Sequence, residues 1–162
     1  MGSGKTSVSE LLHKRIKKLA YLGSDKIKWS QSDFSRTKKQ NEIASDVVIA
    51  MAEVYIKNGM SILLTQNFIR ADNRNKFISL AKKHKLNLKI YHLTAPRDVL
   101  LKRIKERSVM HEKRGMPPLS KTRVLRNLRM HNKNKYTSAN IVDTSNKSID
   151  EAVSFIENDL FQ

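Results

Sequence analysis

Hydrophobic residues along the chain follow two patterns, a helical spacing of three and four residues and short apolar runs. The helical spacing predicts a first helix that reaches about Ala20 and a long helix over residues 37–58, which Gly59 ends. Ser120 and Ser148 belong to a residue type that caps helix N-termini, so we expect a helix to follow each of them. The predicted later helices cover residues 71–84, 98–107, 120–132 and 148–160.

Short apolar runs between the helices predict strands. We interpret residues 26–30, 61–65, 88–93 and 140–143 as four strands, the first of them after a turn over residues 21–25. Residues 108–118 have no periodicity and contain a glycine and two prolines, which predicts a mobile loop. Strands that alternate with helices of ten residues or more are typical of βαβ units. The predicted fold class is therefore α/β with a parallel sheet, in a single domain over residues 1–162.

The first helix follows the sequence Gly2-Ser3-Gly4-Lys5-Thr6. Gly-x-Gly-Lys-Thr at the start of a helix is the second half of a P-loop. The glycines let backbone N–H groups converge on a phosphate, the lysine reaches its β- and γ-oxygens, and the threonine hydroxyl binds Mg²⁺. The motif predicts a nucleoside-triphosphate site.

The complete P-loop signature is longer than this motif. It begins with a buried strand and a further glycine, and both would precede Met1. That strand is central in the sheet of a P-loop fold, and without it the neighbouring strands lack hydrogen-bonding partners. We therefore expect an N-terminally truncated domain whose first strand is missing from this chain, through truncation or a start codon assigned too late.

The charge of the chain is strongly positive, because 32 lysines and arginines against 15 acidic residues give a formal net charge of +17. Such a balance attracts polyanions and favours a nucleic acid, a nucleotide or another phosphorylated partner, although a solvated basic surface has the same composition. Much of the excess lies between Arg97 and Lys135. A stripe in that segment fits either a nucleic-acid backbone or a solvated helix face and consists of Arg123, Arg126, Arg129 and Lys133.

Two absences limit the class of protein. The chain contains no cysteine, which excludes disulfides and cysteine-based zinc sites and suits a reducing compartment. Its longest fully apolar run, residues 47–52, is far too short to span a membrane, and the N-terminus has no charged-then-apolar leader. We expect a soluble cytoplasmic protein with no membrane partner.

Three further motifs follow the P-loop along the chain: Asp33-x-x-Arg36, Asn67-Phe68-Ile69-Arg70, and the basic helical sequence of residues 100–107. Together with the P-loop, they make the chain resemble the small P-loop kinases related to polynucleotide 5′-hydroxyl kinases, and more loosely the zeta-toxin and chloramphenicol phosphotransferase group. The resemblance covers essentially the whole chain. It implies an AAA-type ATP-binding kinase domain with a three-layer fold, and phosphoryl transfer from ATP to a hydroxyl with the help of Mg²⁺.

Phosphoryl transfer requires a clamp on the triphosphate, and the P-loop residues are the candidates for it. Lys5 would contact the transferring phosphate and Thr6 the metal, while Gly2, Ser3 and Gly4 would present their backbone to the nucleotide. The resemblance gives Arg107 the role of a lid arginine that acts on the phosphates. It places Arg103 one turn earlier as a nucleotide contact, and it places the lid at about residues 108–119.

The acceptor hydroxyl needs a group that takes its proton. Asp33 is expected just after the second strand of a P-loop fold, at the sheet edge where open α/β folds bind ligands, and is the candidate base. Arg36 would hold an acceptor phosphate or orient Asp33, and Asn67 would contact the acceptor. The alternatives are a surface aspartate that caps the long helix, with Arg36 in solvent, and an asparagine that only ends a strand.

Thr65 departs from the pattern of the resembled kinases, in which this strand commonly ends in an acidic residue. The expected function is nevertheless that of an ATP- and Mg²⁺-dependent kinase that phosphorylates the 5′-hydroxyl of a nucleic acid or nucleotide. One alternative is a degenerate P-loop protein that binds nucleotide or nucleic acid without catalysis. Another is a kinase whose acceptor is a small molecule, such as an antibiotic or a sugar nucleotide.

Overall fold

The computed structural model describes residues 2–35, 37–65, 71–113, 121–133 and 138–161. Helices and strands alternate along these ranges, which confirms the predicted α/β class. The elements are α1 (Lys5–Arg15), β1 (Leu19–Leu22), α2 (Ser24–Trp29), α3 (Lys38–Lys57), β2 (Ser61–Leu64), α4 (Ala71–Lys83), β3 (Tyr91–Thr94), α5 (Arg97–Lys113), α6 (Lys121–Lys133), β4 (Asn140–Asp143) and α7 (Ile149–Leu160). No helix within the described ranges combines the length and the apolar character needed to cross a lipid bilayer.

The strands pair as two separate parallel ladders. Strand β1 pairs with β2 from Leu19 opposite Ser61 onward, and β3 pairs with β4 from Tyr91 opposite Asn140 onward. Both pairs are parallel, as predicted. Among the described residues no strand hydrogen-bonds to both pairs.

The described parts of residues 1–8 and 89–162 form one compact unit, which we call the P-loop unit. Its hydrophobic core joins the end of β3 to α5 and α6, because short apolar side chains on one face of each helix are buried together. The core residues are Ala95, Leu100, Ile104, Val124 and Leu128, with Val99 packed against them. This core therefore lies directly beneath the helix that carries Arg103 and Arg107.

The described parts of residues 9–88 form the second compact unit, which we call the acceptor unit because the sequence predicts the acceptor-binding residues within it. Its core consists of Leu22, Val48 and Ala52, against which side chains of α2, α3, β2 and α4 pack. Val48 is fully buried, whereas Ile43, Val47 and Val54, whose spacing predicted this helix, are exposed, so the buried face of α3 differs from the predicted apolar stripe. The Thr37 hydroxyl accepts a hydrogen bond from the Gln40 N–H at 3.2 Å, so Thr37 is the residue that caps α3.

The last helix begins as predicted at Ser148. The Ser148 hydroxyl accepts from the Glu151 N–H at 3.1 Å, and the Glu151 carboxylate accepts from the Ser148 N–H at 2.7 Å. This reciprocal capping box satisfies two backbone donors that the helix itself leaves unpaired. The bonds from Ser148 also lower the pKa of the Glu151 carboxyl, because they stabilise its charged form.

Residues 16–30 are the first place where the sequence prediction was wrong. Helix α1 ends at Arg15, residues 19–22 form a strand instead of a helix end and a turn, and residues 24–29 form a short helix instead of a strand. Lys18, with a φ of 52°, separates α1 from β1. Ile27 packs against the core of the acceptor unit, and its flanking lysines imitate the alternation of a strand.

Helix α5 is the second correction. It continues to Lys113, whereas residues 108–113 were predicted to belong to a loop. Val109 and Met110 are about half exposed. An exposed helical turn needs no apolar stripe, so hydrophobic periodicity does not detect it. The rest of the predicted loop, residues 114–118, lies outside the described residues. Strand β3 also begins at Tyr91, three residues later than predicted.

Candidate active site

The backbone of the P-loop sequence depends on its two glycines. Gly2 and Gly4 have φ values of 78° and 75°, in the left-handed region that favours glycine. A Cβ at Gly2 would lie 3.0 Å from the carbonyl oxygen of Leu100, so the loop approaches α5 more closely than a side chain would allow. Ser3, between the two glycines, is buried with 1% of its surface exposed. The loop is therefore packed against helix α5 of its own unit.

Helix α1 begins at Lys5, immediately after this loop. Its first backbone hydrogen bond runs from the Val8 N–H to the Gly4 carbonyl at 3.0 Å. In general, the ladder of bonds inside a helix does not reach the N–H groups of its first turn, and the helix dipole adds positive character at this end. An anion is therefore favoured here. The Lys5 ammonium donates to the Ser3 hydroxyl at 3.4 Å, so the lysine folds back over the loop.

Arg103 fixes the loop from the side of α5. Its Nη1 donates to the Gly2 carbonyl at 3.4 Å and to the Thr144 hydroxyl at 3.0 Å, while Nη2 donates to the Thr144 carbonyl at 2.6 Å. Thr144 is buried, and its own hydroxyl donates to the Thr94 carbonyl at 3.0 Å. The sequence suggested Arg103 as a nucleotide contact. The structure adds a supporting role, because the guanidinium connects the P-loop to Thr144, which follows β4 and in turn bonds to the end of β3.

The segment after β4 is ordered by a second set of bonds. The Asp143 carboxylate accepts from the Ser145 hydroxyl at 2.7 Å and from the Ser145 N–H at 2.8 Å. These two hydrogen bonds lower the pKa of the Asp143 carboxyl, because they stabilise its charged form. The turn that contains Thr144 is therefore held on both sides, by Ser145 and by Arg103. Sequence reasoning missed this turn, since its residues match no motif.

Arg107 is exposed on α5, one turn after Arg103. The predicted lid begins within the same helix, since residues 108–113 are helical, and its remaining residues lie outside the described ranges. On α6, Arg126 and Arg129 are exposed, as predicted for the basic stripe. The side chains of Arg123 and Lys133 lie outside the description.

Asp33 lies in the acceptor unit, and its position differs from the prediction. It follows the short helix α2, eleven residues after β1 ends at Leu22, and has a φ of 54°. Its side chain is exposed. The alternative of a surface aspartate agrees with this exposure, but the capping role that it gave Asp33 was wrong because Thr37 caps the long helix. Arg36 and Asn67 lie outside the described residues, so their predicted acceptor contacts stay predictions.

Gln40, which sequence reasoning did not single out, braces the segment around Asp33. Its Nε2 donates to the Asp33 carbonyl at 3.2 Å. Its Oε1 accepts from the Ser35 N–H at 2.8 Å and from the Ser35 hydroxyl at 3.0 Å. One side chain from the first turn of α3 therefore holds the backbone on both sides of Phe34. In the sequence, Gln40 is only a polar residue near a helix cap, and that pattern is too common to single it out.

Thr65, where the resembled kinases commonly have an acid, lies just after β2. Its hydroxyl donates to the Tyr21 hydroxyl at 3.3 Å, and its N–H donates to the Leu22 carbonyl at 3.0 Å. The residue thus connects the ends of β1 and β2. Nowhere in the described ranges do three or more histidine or acidic side chains group as a metal site. Thr6, the predicted protein ligand for Mg²⁺, is exposed in the first turn of α1.

The sequence of residues 1–129 matches the family described as the AAA domain. The chain belongs to this AAA domain family. Because the match includes the P-loop, α5 and most of α6, it covers the elements that form the nucleotide side of the candidate site. A comparison of the sequence with curated proteins finds no significant match.

Solved structures with the same fold include two proteins described as kinases. The tunicamycin resistance protein of Deinococcus radiodurans is 16% identical with a TM-score of 0.68, and the match covers 98% of this chain and 90% of that one. The APS kinase of Mycobacterium tuberculosis, solved with AMPPNP and APS, is 15% identical with a TM-score of 0.70, over 99% and 92% of the two chains. A candidate kinase from Chloroflexus aurantiacus is 19% identical with a TM-score of 0.71, over 98% and 90%. The P-loop kinase fold predicted from the sequence is confirmed.

Proposed function

We propose that this protein is an ATP- and Mg²⁺-dependent kinase that transfers the γ-phosphate of ATP to the 5′-hydroxyl of a nucleic acid or nucleotide. The observation that carries the proposal is the geometry of the P-loop. Two left-handed glycines open α1, Lys5 lies over the loop, and Arg103 holds the loop backbone. The similarity of the fold to solved kinase structures also supports a kinase.

The P-loop unit would bind the nucleotide. The N–H groups in the first turn of α1 would contact the phosphates, and Lys5 would neutralise charge on the transferring group. Thr6 would supply one hydroxyl oxygen to Mg²⁺, a ligand type that suits this hard cation, and the metal keeps several waters in such sites. The bound ion would supply positive charge that offsets the charge of the phosphates. Arg107, one turn beyond Arg103, would add positive charge in the transition state.

The acceptor unit would supply the proton acceptor. The Asp33 carboxylate is exposed, and the Gln40 side chain holds the backbone carbonyl of the same residue. A carboxylate can take the proton of an attacking hydroxyl when it lies within hydrogen-bond reach of it. We propose Asp33 for this role, with Arg36 and Asn67 as contacts to the acceptor. The net charge of +17 favours an acceptor that carries phosphate groups.

Replacement of Asp33 tests this proposal. Asp33→Asn keeps the shape of the side chain and removes its ability to take a proton. We expect labelled phosphate transfer to a 5′-hydroxyl oligonucleotide to fall about a hundredfold or more, while ATP affinity measured by calorimetry changes by no more than a few-fold. Asp46→Asn, an exposed aspartate on α3 of the same unit, is the matched control and should leave transfer unchanged. Absence of saturable ATP binding by the unaltered protein would contradict the kinase proposal altogether.

A second candidate function is a P-loop protein that binds nucleotide without transferring phosphate. The observation that favours it is the environment of Thr65, which bonds to Tyr21 and offers no carboxylate to a metal or an acceptor. ATP binding without transfer to oligonucleotides, nucleosides or small alcohols would support this candidate. Tunicamycin and sugar nucleotides belong in the same acceptor panel, because one structural neighbour is a tunicamycin resistance protein.

A further inference from the structure

Trp29, the only tryptophan in the chain, is unusually exposed. It is the last residue of α2, and 71% of its surface is open to solvent. Single exposed apolar residues are ordinary on protein surfaces and need no explanation by themselves. Trp29, however, is paired with a second aromatic residue. Phe34 packs edge to face against it, with 6.2 Å between ring centroids and 68° between ring planes.

The backbone around this aromatic pair is ordered by hydrogen bonds. On the tryptophan side, the Ser30 hydroxyl donates to the Ile27 carbonyl at 2.9 Å and caps the end of α2. On the phenylalanine side, Gln40 bonds to the residue before Phe34 and to the residue after it. Both rings are therefore presented from a fixed backbone, and less conformational freedom would be lost when a ligand stacks on them.

The charge around the pair identifies the class of ligand. Residues 24–40 contain five basic residues and two acidic ones. Lys28 next to Trp29 pairs with Asp25 at 3.4 Å, and Lys26 lies 5.9 Å above the Tyr21 ring. Aromatic faces set among positive charges are the combination that binds single-stranded nucleic acids, because bases stack on the rings while phosphates meet the charges.

We propose that Trp29 and Phe34 form a stacking platform for a nucleobase of a single-stranded nucleic-acid acceptor. The inference rests on the proposed function and narrows its substrate, because Phe34 directly follows Asp33, the proposed proton acceptor. A base stacked on Phe34 would keep the sugar to which it is attached near that carboxylate. An acceptor without a base, such as an antibiotic, would not use this surface.

The single tryptophan allows a direct test, because tryptophan fluorescence reports on position 29 alone. The unaltered protein, without ATP, is titrated with a single-stranded 5′-hydroxyl oligonucleotide and with an abasic strand of the same length. We expect saturable quenching by the first strand and little by the second, because the abasic strand keeps the phosphates and lacks the bases. Equal quenching by both strands, or none by either, would overturn the platform.

Two substitutions complete the test. Phe34→Ala leaves the reporter in place and should weaken oligonucleotide affinity about tenfold, as expected for the loss of one base stack. Trp29→Ala, followed by anisotropy of a labelled oligonucleotide, should weaken it by a similar factor. Phe155→Ala is the matched control, because Phe155 is a half-exposed aromatic of α7 in the P-loop unit and should leave affinity unchanged. Equal affinity of all three variants and the unaltered protein would overturn the proposal.

The titration also separates this inference from the proposed function. Transfer of phosphate to oligonucleotides without base-dependent quenching would overturn the platform and leave the kinase intact. Base-dependent quenching in a protein that transfers no phosphate would support the platform and contradict the kinase. Circular dichroism of each variant identifies a loss of fold, which is not expected at a side chain as exposed as Trp29.

Discussion

The P-loop and the segment around Asp33 carry the two halves of the proposed chemistry, and they are built differently. The P-loop is packed against α5, with Ser3 buried and the Gly2 carbonyl bound by Arg103. The described residues of the segment 30–37 are largely exposed, and Gln40 braces the backbone around Phe34. In the proposed chemistry the backbone itself would bind phosphate, so that backbone must be fixed by the residues packed behind it. Side chains would bind the acceptor, and an exposed segment can exchange side chains without disturbing a core.

The largest effect should come from the P-loop. Lys5→Ala removes the cation proposed to contact the transferring phosphate, so turnover should fall about a hundredfold or more. Lys14→Ala, at an exposed position in the last turn of the same helix, should leave turnover unchanged. Steady-state kinetics with ATP as the varied substrate provide the measurement. If both variants lost activity equally, general loss of charge on α1 would be the better explanation.

The two glycines of the P-loop should differ in their tolerance of a methyl group. Both have positive φ, so alanine at either position is strained by about 1–2 kcal/mol. A Cβ at Gly2 would also meet the Leu100 carbonyl at 3.0 Å, whereas one at Gly4 would meet nothing within 4 Å. Gly2→Ala should therefore lower the free energy of unfolding more than Gly4→Ala, as measured by urea denaturation. Equal losses would mean that the packing of the loop against α5 contributes little.

The smallest effect on stability should come from the brace of the acceptor segment. Gln40→Ala removes hydrogen bonds at a largely exposed site, so the free energy of unfolding should fall by only about 1 kcal/mol. The KM for an oligonucleotide acceptor should nevertheless rise several-fold, while the KM for ATP stays constant. Lys39→Ala, the preceding exposed residue of α3, is the control. A change in the KM for ATP alone would contradict the assignment of Gln40 to the acceptor side.

Local patterns predicted most of the elements correctly. The long helix α3, strand β2, helix α4, strand β4 and helix α7 lie where apolar periodicity and capping residues placed them. Each of these elements contains its own signal, such as the helical spacing of apolar residues in α3 or the capping box at Ser148. The P-loop was also recognisable, because its chemistry depends on residues that are contiguous in the chain. The family and fold comparisons agree with these predictions.

The sequence by itself thus determined the α/β class, the nucleotide motif and the basic character of the protein. Only the tertiary structure decided that residues 19–22 are a strand, because the choice depends on pairing with residues 61–64. It also decided what holds the P-loop, since Arg103 and Gly2 are 101 residues apart in the chain. Periodicity describes which face of an element is apolar and says nothing about partners. Contacts between distant residues arise from packing and register, and these are properties of the folded chain.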